Sequence, residues 1–132
     1  MIKFQDLKVG DFVLADYAGD KWEGVVNKVN AEEKKALVQT SVQEFWFRPE
    51  ELHPITLDEE QLRKLNFEKQ ENDDGSVKYT KGPFRIFLPE KGNFSKMDMW
   101  YREDRRHLNH TITLHELQNH YLQMTKVNLA RN

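Results

Sequence analysis

The sequence predicts an α+β fold. A small antiparallel β-barrel occupies residues 1–55. In residues 56–132 a short helix leads into a small antiparallel sheet, which a C-terminal helix covers. Three observations predict this. Short runs of β-branched and aromatic residues recur at about ten-residue spacing between turn signals. Two segments, at 58–65 and 114–125, carry helix caps together with helical apolar spacing. The chain of 132 residues is 38% hydrophobic and 11% aromatic and has no cysteine. Its modest core must therefore be filled by large rings and cannot be stapled by disulfides.

The elements follow in order. Val9-Gly10-Asp11 is a turn before the strand residues Phe12, Val13 and Leu14. Ala18-Gly19-Asp20 is a second turn, with glycine where a positive φ costs least. Trp22 to Val29 alternates imperfectly, with Trp22, Gly24 and Val26 on one face and Val25 and Val29 on the other. A charged connection at 30–35 leads to strands at 36–42 and 44–48. Pro49 ends the last of these because it has no N–H for a ladder. Asp58 caps the first helix, with Gln61 in the capping-box position and Leu57 and Leu62 as a hydrophobic staple. Glu59 and Glu60 suit its positive end, Arg63 and Lys64 its negative end. Asn66 fits a left-handed residue just past it, with Phe67 folding back onto the last turn.

Strands at 67–71 and 76–81 flank the hairpin turn Asn72-Asp73-Asp74-Gly75. Phe84–Leu88 is a strand between Gly82-Pro83 and Pro89. Residues 97–102 alternate, with Met97, Met99 and Tyr101 on one face, and the charged run Arg102 to His107 then reads as a loop. Thr113 and Glu116 form a capping box for the second helix. Leu114, Leu117, Tyr121 and Met124 make one apolar stripe, which Leu122 widens. The chain then frays over Lys126–Asn132. The two parts are expected to share contacts through Leu52, Ile55, Phe67 and the aromatic strand at 45–47.

Charge and composition exclude several classes. The 20 Lys+Arg against 22 Asp+Glu give a net charge of −2, which does not favour a nonspecific nucleic-acid binder. Residues 1–55 hold 7 Lys+Arg against 10 Asp+Glu, and residues 96–132 hold 6 against 4, a polarity too weak to name a partner. Without cysteine there is no thiol nucleophile and no thiolate zinc or iron–sulfur site. No apolar run is long enough for a membrane span. The opening MIKFQDLKVGD lacks the apolar core of a secretory signal, so a cytoplasmic location is expected. There is no phosphate loop, dinucleotide fingerprint or nucleophile elbow, and Ser41, Ser76 and Ser95 lie in no catalytic setting. No enzyme activity, catalytic residue, metal or cofactor is expected.

Two stretches carry a resemblance. Residues 54–67, PITLDEEQLRKLNF, resemble a P-I-x-L-T-E-E-x-L-x-K-x-G-F segment, and residues 115–125, HELQNHYLQMT, resemble V-H-Q-L-Q-N-L-Y-x-x-L-T-G. Both occur in this order in a family of small proteins from gut bacteria and their phages and mobile elements. The resemblance implies the two-part layout and a mobile-element origin, with no activity attached. Departures from the pattern fall on structural devices. Asn66 replaces a glycine, and Asp58 replaces a threonine cap. His120 replaces an apolar residue. Lys126 replaces a glycine, so the last helix should run longer or end less sharply. The segment VGDFVLADYAGDKWEGVV also resembles the opening of SH3-like, Tudor-type barrels. Some of those bind methylated lysine or arginine in an aromatic cage. Tyr17, Trp22, Phe45 and Trp46 are the candidate cage members here. The plainer alternative is that these rings are core and rim of a tiny barrel.

Three further groups are weighed the same way. Arg102, Arg105 and Arg106 form the most basic local cluster, with Trp100 and Tyr101 as stacking platforms for nucleic acid. Glu103 and Asp104 inside the run blunt it, which favours a solvated loop. His115, Gln118 and Asn119 form either a polar recognition surface or staples that lock the last helix in place. Four histidines crowd residues 107–120, yet His115 and His120 stand five residues apart. They lie about 140° apart around a helix and cannot share one ion within it, which leaves a site completed by His107 or His110 through the fold as the lesser alternative to solvated or capped histidines. The expectation is a noncatalytic macromolecule-binding or adaptor protein of mobile-element or phage origin, with another protein as partner. The alternative is a nucleic-acid-binding protein using the barrel and the 102–107 cluster.

Overall fold

A computed structural model describes residues 1–131 and is α+β. The chain divides into two compact units, Met1–Ile55 and Thr56–Asn132.

In the first unit five antiparallel strands form one sheet: β1 (Phe12–Tyr17), β2 (Asp20–Asn30), β3 (Lys35–Thr40), β4 (Glu44–Phe47) and β5 (Leu52–His53). Their order is β4-β3-β2-β1-β5, so β4 and β5 are edges and the expected barrel is not closed. A 3-10 turn at Pro49–Glu51 carries the chain from β4 to β5. The core is built from small and branched side chains: Val13, Ala15, Val26, Ala36, Val38 and Leu52 are fully buried, and Ile2, Leu7 and Phe47 close around them. The imperfect alternation of β2 has a physical cause. The register shifts between Val26 and Lys28, a bulge that moves Val29 to stand opposite buried Ala36, on the face opposite to the one its spacing suggests. Ala18 and Gly19 both have positive φ, 53° and 82°, as a two-residue hairpin that matches strand twist requires.

In the second unit α1 (Glu59–Lys64) precedes β6 (Glu68–Glu71), β7 (Val77–Lys81), β8 (Phe84–Leu88), β9 (Met97–Tyr101), β10 (Asp104–Leu108) and α2 (Leu114–Thr125). The strands form an antiparallel meander in the order β10-β9-β8-β7-β6. The caps read from sequence are present. Gln61 N donates to Asp58 Oδ1 at 2.9 Å, and Asn66 takes φ 65° beyond α1. Thr113 N donates to Glu116 Oε1 at 3.0 Å at the start of α2. Val77, Phe84, Ile86, Leu88, Met97 and Met99 present one buried face, with Leu62, Leu65, Leu114 and Leu117 of the helices also fully buried. Phe84 packs its ring edge-on against Phe67 at 6.2 Å and Tyr121 at 4.8 Å.

Two expectations are corrected. Residues 104–108 are a strand: Arg102 adopts φ 56° and turns the chain back along β9. The C-terminal stretch is held, not frayed. Lys126 adopts φ 65° despite its side chain, and its N–H bonds Leu122 O at 2.8 Å, so α2 stops sharply at Thr125. Leu129 is then buried, and Arg131 Nη2 donates to Gln61 Oε1 at 2.7 Å. Asn132, the last residue of that stretch, lies outside the described residues.

Gly24 lies where the neighbouring strand leaves no room for a side chain. A Cβ there would sit 2.6 Å from Val38 Cγ1 and 2.8 Å from Gln39 O. Gly24→Ala should therefore destabilise the first unit by about 1–3 kcal/mol, read as a lowered denaturant midpoint.

Candidate functional site

The second sheet leaves one face toward solvent, and the strand register decides what stands on it. Because side chains alternate, burying Phe84, Ile86, Met97 and Met99 turns Arg85, Phe87, Asp98 and Trp100 outward. The pairing then aligns two rows across the strands. One runs Thr80, Arg85, Trp100, Arg105, and the other runs Lys78, Phe87, Asp98, His107. Trp100 lies between two cations: the guanidinium carbons of Arg85 and Arg105 are 5.4 and 5.3 Å from its ring centroid. Each such contact adds cation–π attraction and, more usefully, fixes a long side chain in place. Asp98, in the second row, links the two rows, accepting from Arg105 Nη2 at 2.8 Å and facing His107 Nδ1 at 2.5 Å. The Arg105 guanidinium first, and His107 second, hold the Asp98 carboxyl below its ordinary value. The same carboxylate, with the Asn109 amide, raises His107 above its ordinary value.

The basic cluster read from sequence is thus taken apart. Arg105 joins the outer face. Arg106 turns to the opposite face, where Nη1 lies 2.8 Å from His120 Nδ1 and 2.7 Å from Gln123 Oε1. Arg102 sits at the turn over the Tyr101 ring at 5.0 Å, and Tyr101 shares the buried face with Met97 and Met99. Trp100 supports arginines on both sides and so does not offer a bare ring. Lys78, Arg85 and Phe87 were not found from sequence, because only the register of β7 and β8 against β9 brings them there.

On α2, His115 is 7% and Gln118 2% exposed. His115 Nδ1 lies 3.2 Å from Thr113 Oγ1, and Gln118 Nε2 donates to Leu129 O at 3.1 Å, which ties the chain end to the helix. Both are staples. Asn119 alone of the three lines a shallow groove, of about 150 Å³, with Glu116, His120 and Gln123. Burial first, and Arg106 second, lower the His120 pKa. Among the described residues no group of three or more His, Asp or Glu side chains could hold a metal ion.

In the first unit the Tyr17 and Phe45 rings lie 5.1 Å apart and tilted, and Phe45 meets Phe47 edge-on at 6.5 Å. With Trp22, Thr40, Val42 and Gln43 they line a cleft with room for about one water molecule. The rings fill the space between them, so an open cage for a methylated cation is not preformed. Trp46 takes no part, because it stands opposite Leu37 on the other face of the sheet. Trp22 Nε1 is shielded from solvent and has no hydrogen-bond partner.

A larger cleft of about 400 Å³ lies beside α1, lined by Glu59, Glu60, Arg63, Phe67, Lys69 and Tyr79. Its charges answer one another. Glu59 accepts from Tyr79 Oη at 3.0 Å and pairs with Lys69, and Glu60 pairs with Arg63. Lys91 first, and Lys69 second, take the Glu71 carboxyl down to about 2, while burial and Glu59 push the Tyr79 phenol up to about 12. This network ties α1 to β6 and β7. The run Asp58-Glu59-Glu60 gave no sign of it, since Lys69 and Tyr79 arrive from other elements.

The two histidines should titrate in opposite directions. His107, raised by Asp98, should sit above 6.5, and Asp98→Asn should bring it back down, as followed by NMR of the ring protons. Its stabilising pair is complete below the unfolded value and is lost as pH rises through the folded one. His120 should sit below 6.5. It favours the fold above its unfolded value and ceases to do so as pH falls through its folded one.

Compared with protein-family models, curated proteins and solved structures, the chain matches none.

Proposed function

We propose that the chain is a noncatalytic binding protein that holds single-stranded nucleic acid across the outer face of its second sheet. The observation that carries this reading is the row Arg85, Trp100, Arg105. Two guanidiniums are fixed against one indole, two strands apart; Arg105 gives one N–H to Asp98, and the remaining N–H groups of the pair can meet phosphate oxygens. Lys78 extends the charge, and Phe87, on the strand between Lys78 and Asp98, offers a ring for a base. His107 adds positive charge when protonated. The near-neutral total charge is no obstacle, since phosphate contact depends on the local patch. Among the described residues no helix is long and apolar enough to cross a membrane. The mobile-element setting that the two motifs imply, and a cytoplasmic location, belong to this reading.

A second reading is a protein partner at the rim of the first sheet. Its support is the exposed group Tyr17, Phe45 and Val42, beside a shielded Trp22 Nε1 left without a partner at a cost of about 1–3 kcal/mol. The strand order β4-β3-β2-β1-β5, with a 3-10 turn before β5, supports an SH3-like description of this unit, and such folds often serve as recognition modules.

Fluorescence anisotropy with a labelled single-stranded oligonucleotide tests the first reading. Arg85→Ala and Arg105→Ala should each weaken binding about threefold to tenfold and lower the salt slope by about one. Phe87→Ala should weaken it with the slope unchanged. Affinity should rise as pH falls through the His107 titration. No binding of single-stranded DNA or RNA at low salt defeats the proposal.

A further inference from the structure

We infer that the protein pairs with a second copy of itself along the free edge of β4. This goes beyond the nucleic-acid reading and does not depend on it. The β3–β4 hairpin closes with Thr40 N donating to Gln43 O at 2.9 Å. Bonded and non-bonded positions alternate along an antiparallel ladder. Gln43, Phe45 and Phe47 therefore turn their backbone groups toward β3, and Glu44 and Trp46 turn theirs to the open edge. Among the described residues no strand pairs with that edge. Soluble proteins usually guard an edge strand with lysine, proline or a bulge. Here Glu44, Arg48 and Pro49 bracket a short edge, and between them it carries Phe45 at 38% and Trp46 at 47% exposure.

The sequence of the edge names its occupant. Glu44-Phe45-Trp46-Phe47-Arg48 runs acid, ring, indole, ring, base, so it is complementary to itself when reversed. Two antiparallel copies centred on Trp46 set Trp46 against Trp46, Phe45 against Phe47, and Glu44 against Arg48 at both ends. The Trp46 pair exchanges two N–H···O bonds. Each Glu44 N–H meets the partner's Arg48 carbonyl, which already accepts from Glu51 N at 2.9 Å and has a second lone pair. The next registers the ladder allows, two residues either way, set Glu44 or Arg48 against Trp46 and leave the charges unmatched. The Arg48 side chain is 63% exposed and lies 3.5 and 3.6 Å from Glu50 and Glu51, loose contacts that are readily exchanged. The result is a two-fold pairing in which the same strand serves both copies.

Sedimentation equilibrium of the full chain at concentrations up to about 1 mM tests it. The apparent mass should rise from 15.8 kDa toward twice that value. Trp46→Lys, which sets like charges opposite each other, should keep the chain monomeric with an unchanged circular dichroism spectrum. Glu44→Lys and Arg48→Glu should each weaken pairing about tenfold, and the double variant should restore it. A monomer at every concentration, or a dimer that Trp46→Lys leaves intact, overturns the proposal. Failure of the double variant to recover pairing overturns the register.

Discussion

Phe84 is the contact on which the second unit depends. It is fully buried at the head of β8 and touches Phe67, just beyond α1, and Tyr121 of α2. One ring thus ties a strand, the exit of one helix and the middle of the other. A strand has only two faces, and fixing Phe84 inward fixes its neighbour Arg85 outward. The antiparallel register then carries that choice across the sheet. Met99 must join the core, and Trp100 and Arg105 must stand with Arg85. The candidate surface is in this sense a by-product of core packing, which makes it rigid. The positions of its cations are set by strand spacing, not by loops.

Much of the layout was legible because local signals agreed. Asp58, Asn66 and Thr113 took the cap and turn roles that their chemistry suggests, and the stripe from Leu114 to Met124 is buried as its spacing required. Three things were not legible. Residues 104–108 look like a loop because an edge strand with Asp104, Arg105 and Arg106 lacks apolar alternation. Its evidence lies in the partner strand. Lys126 occupies a left-handed position that its side chain disfavours, and the packing of Leu129 and the bonds of Gln118 and Arg131 hold it there. The bulge after Val26 reversed the facing of Val29, which no period of two can anticipate.

The candidate surface shows the same limit. Arg105 and Arg106 are neighbours in sequence, yet a strand sends them to opposite faces. Arg85 and Arg105 lie twenty residues apart and share one indole. Proximity along the chain was a poor guide to chemistry here, and register a good one. The histidines follow this pattern as well. Three of the four at 107–120 found separate partners, with His107 on Asp98, His115 beside Thr113 and His120 beside Arg106.

The closing of the chain end has a consequence in time. The buried face of the second sheet is assembled from strands that finish at Leu108, but α2 and Leu129 emerge from synthesis only afterwards. Until then Phe84, Ile86 and Met99 lack the part of their cover that the C-terminal stretch supplies. The first unit has all its strands within residues 1–55 and meets no such wait. A newly made chain therefore passes through an interval with a finished N-terminal unit and an uncovered apolar sheet behind it. That is the stage at which misassembly and chaperone capture are most favoured.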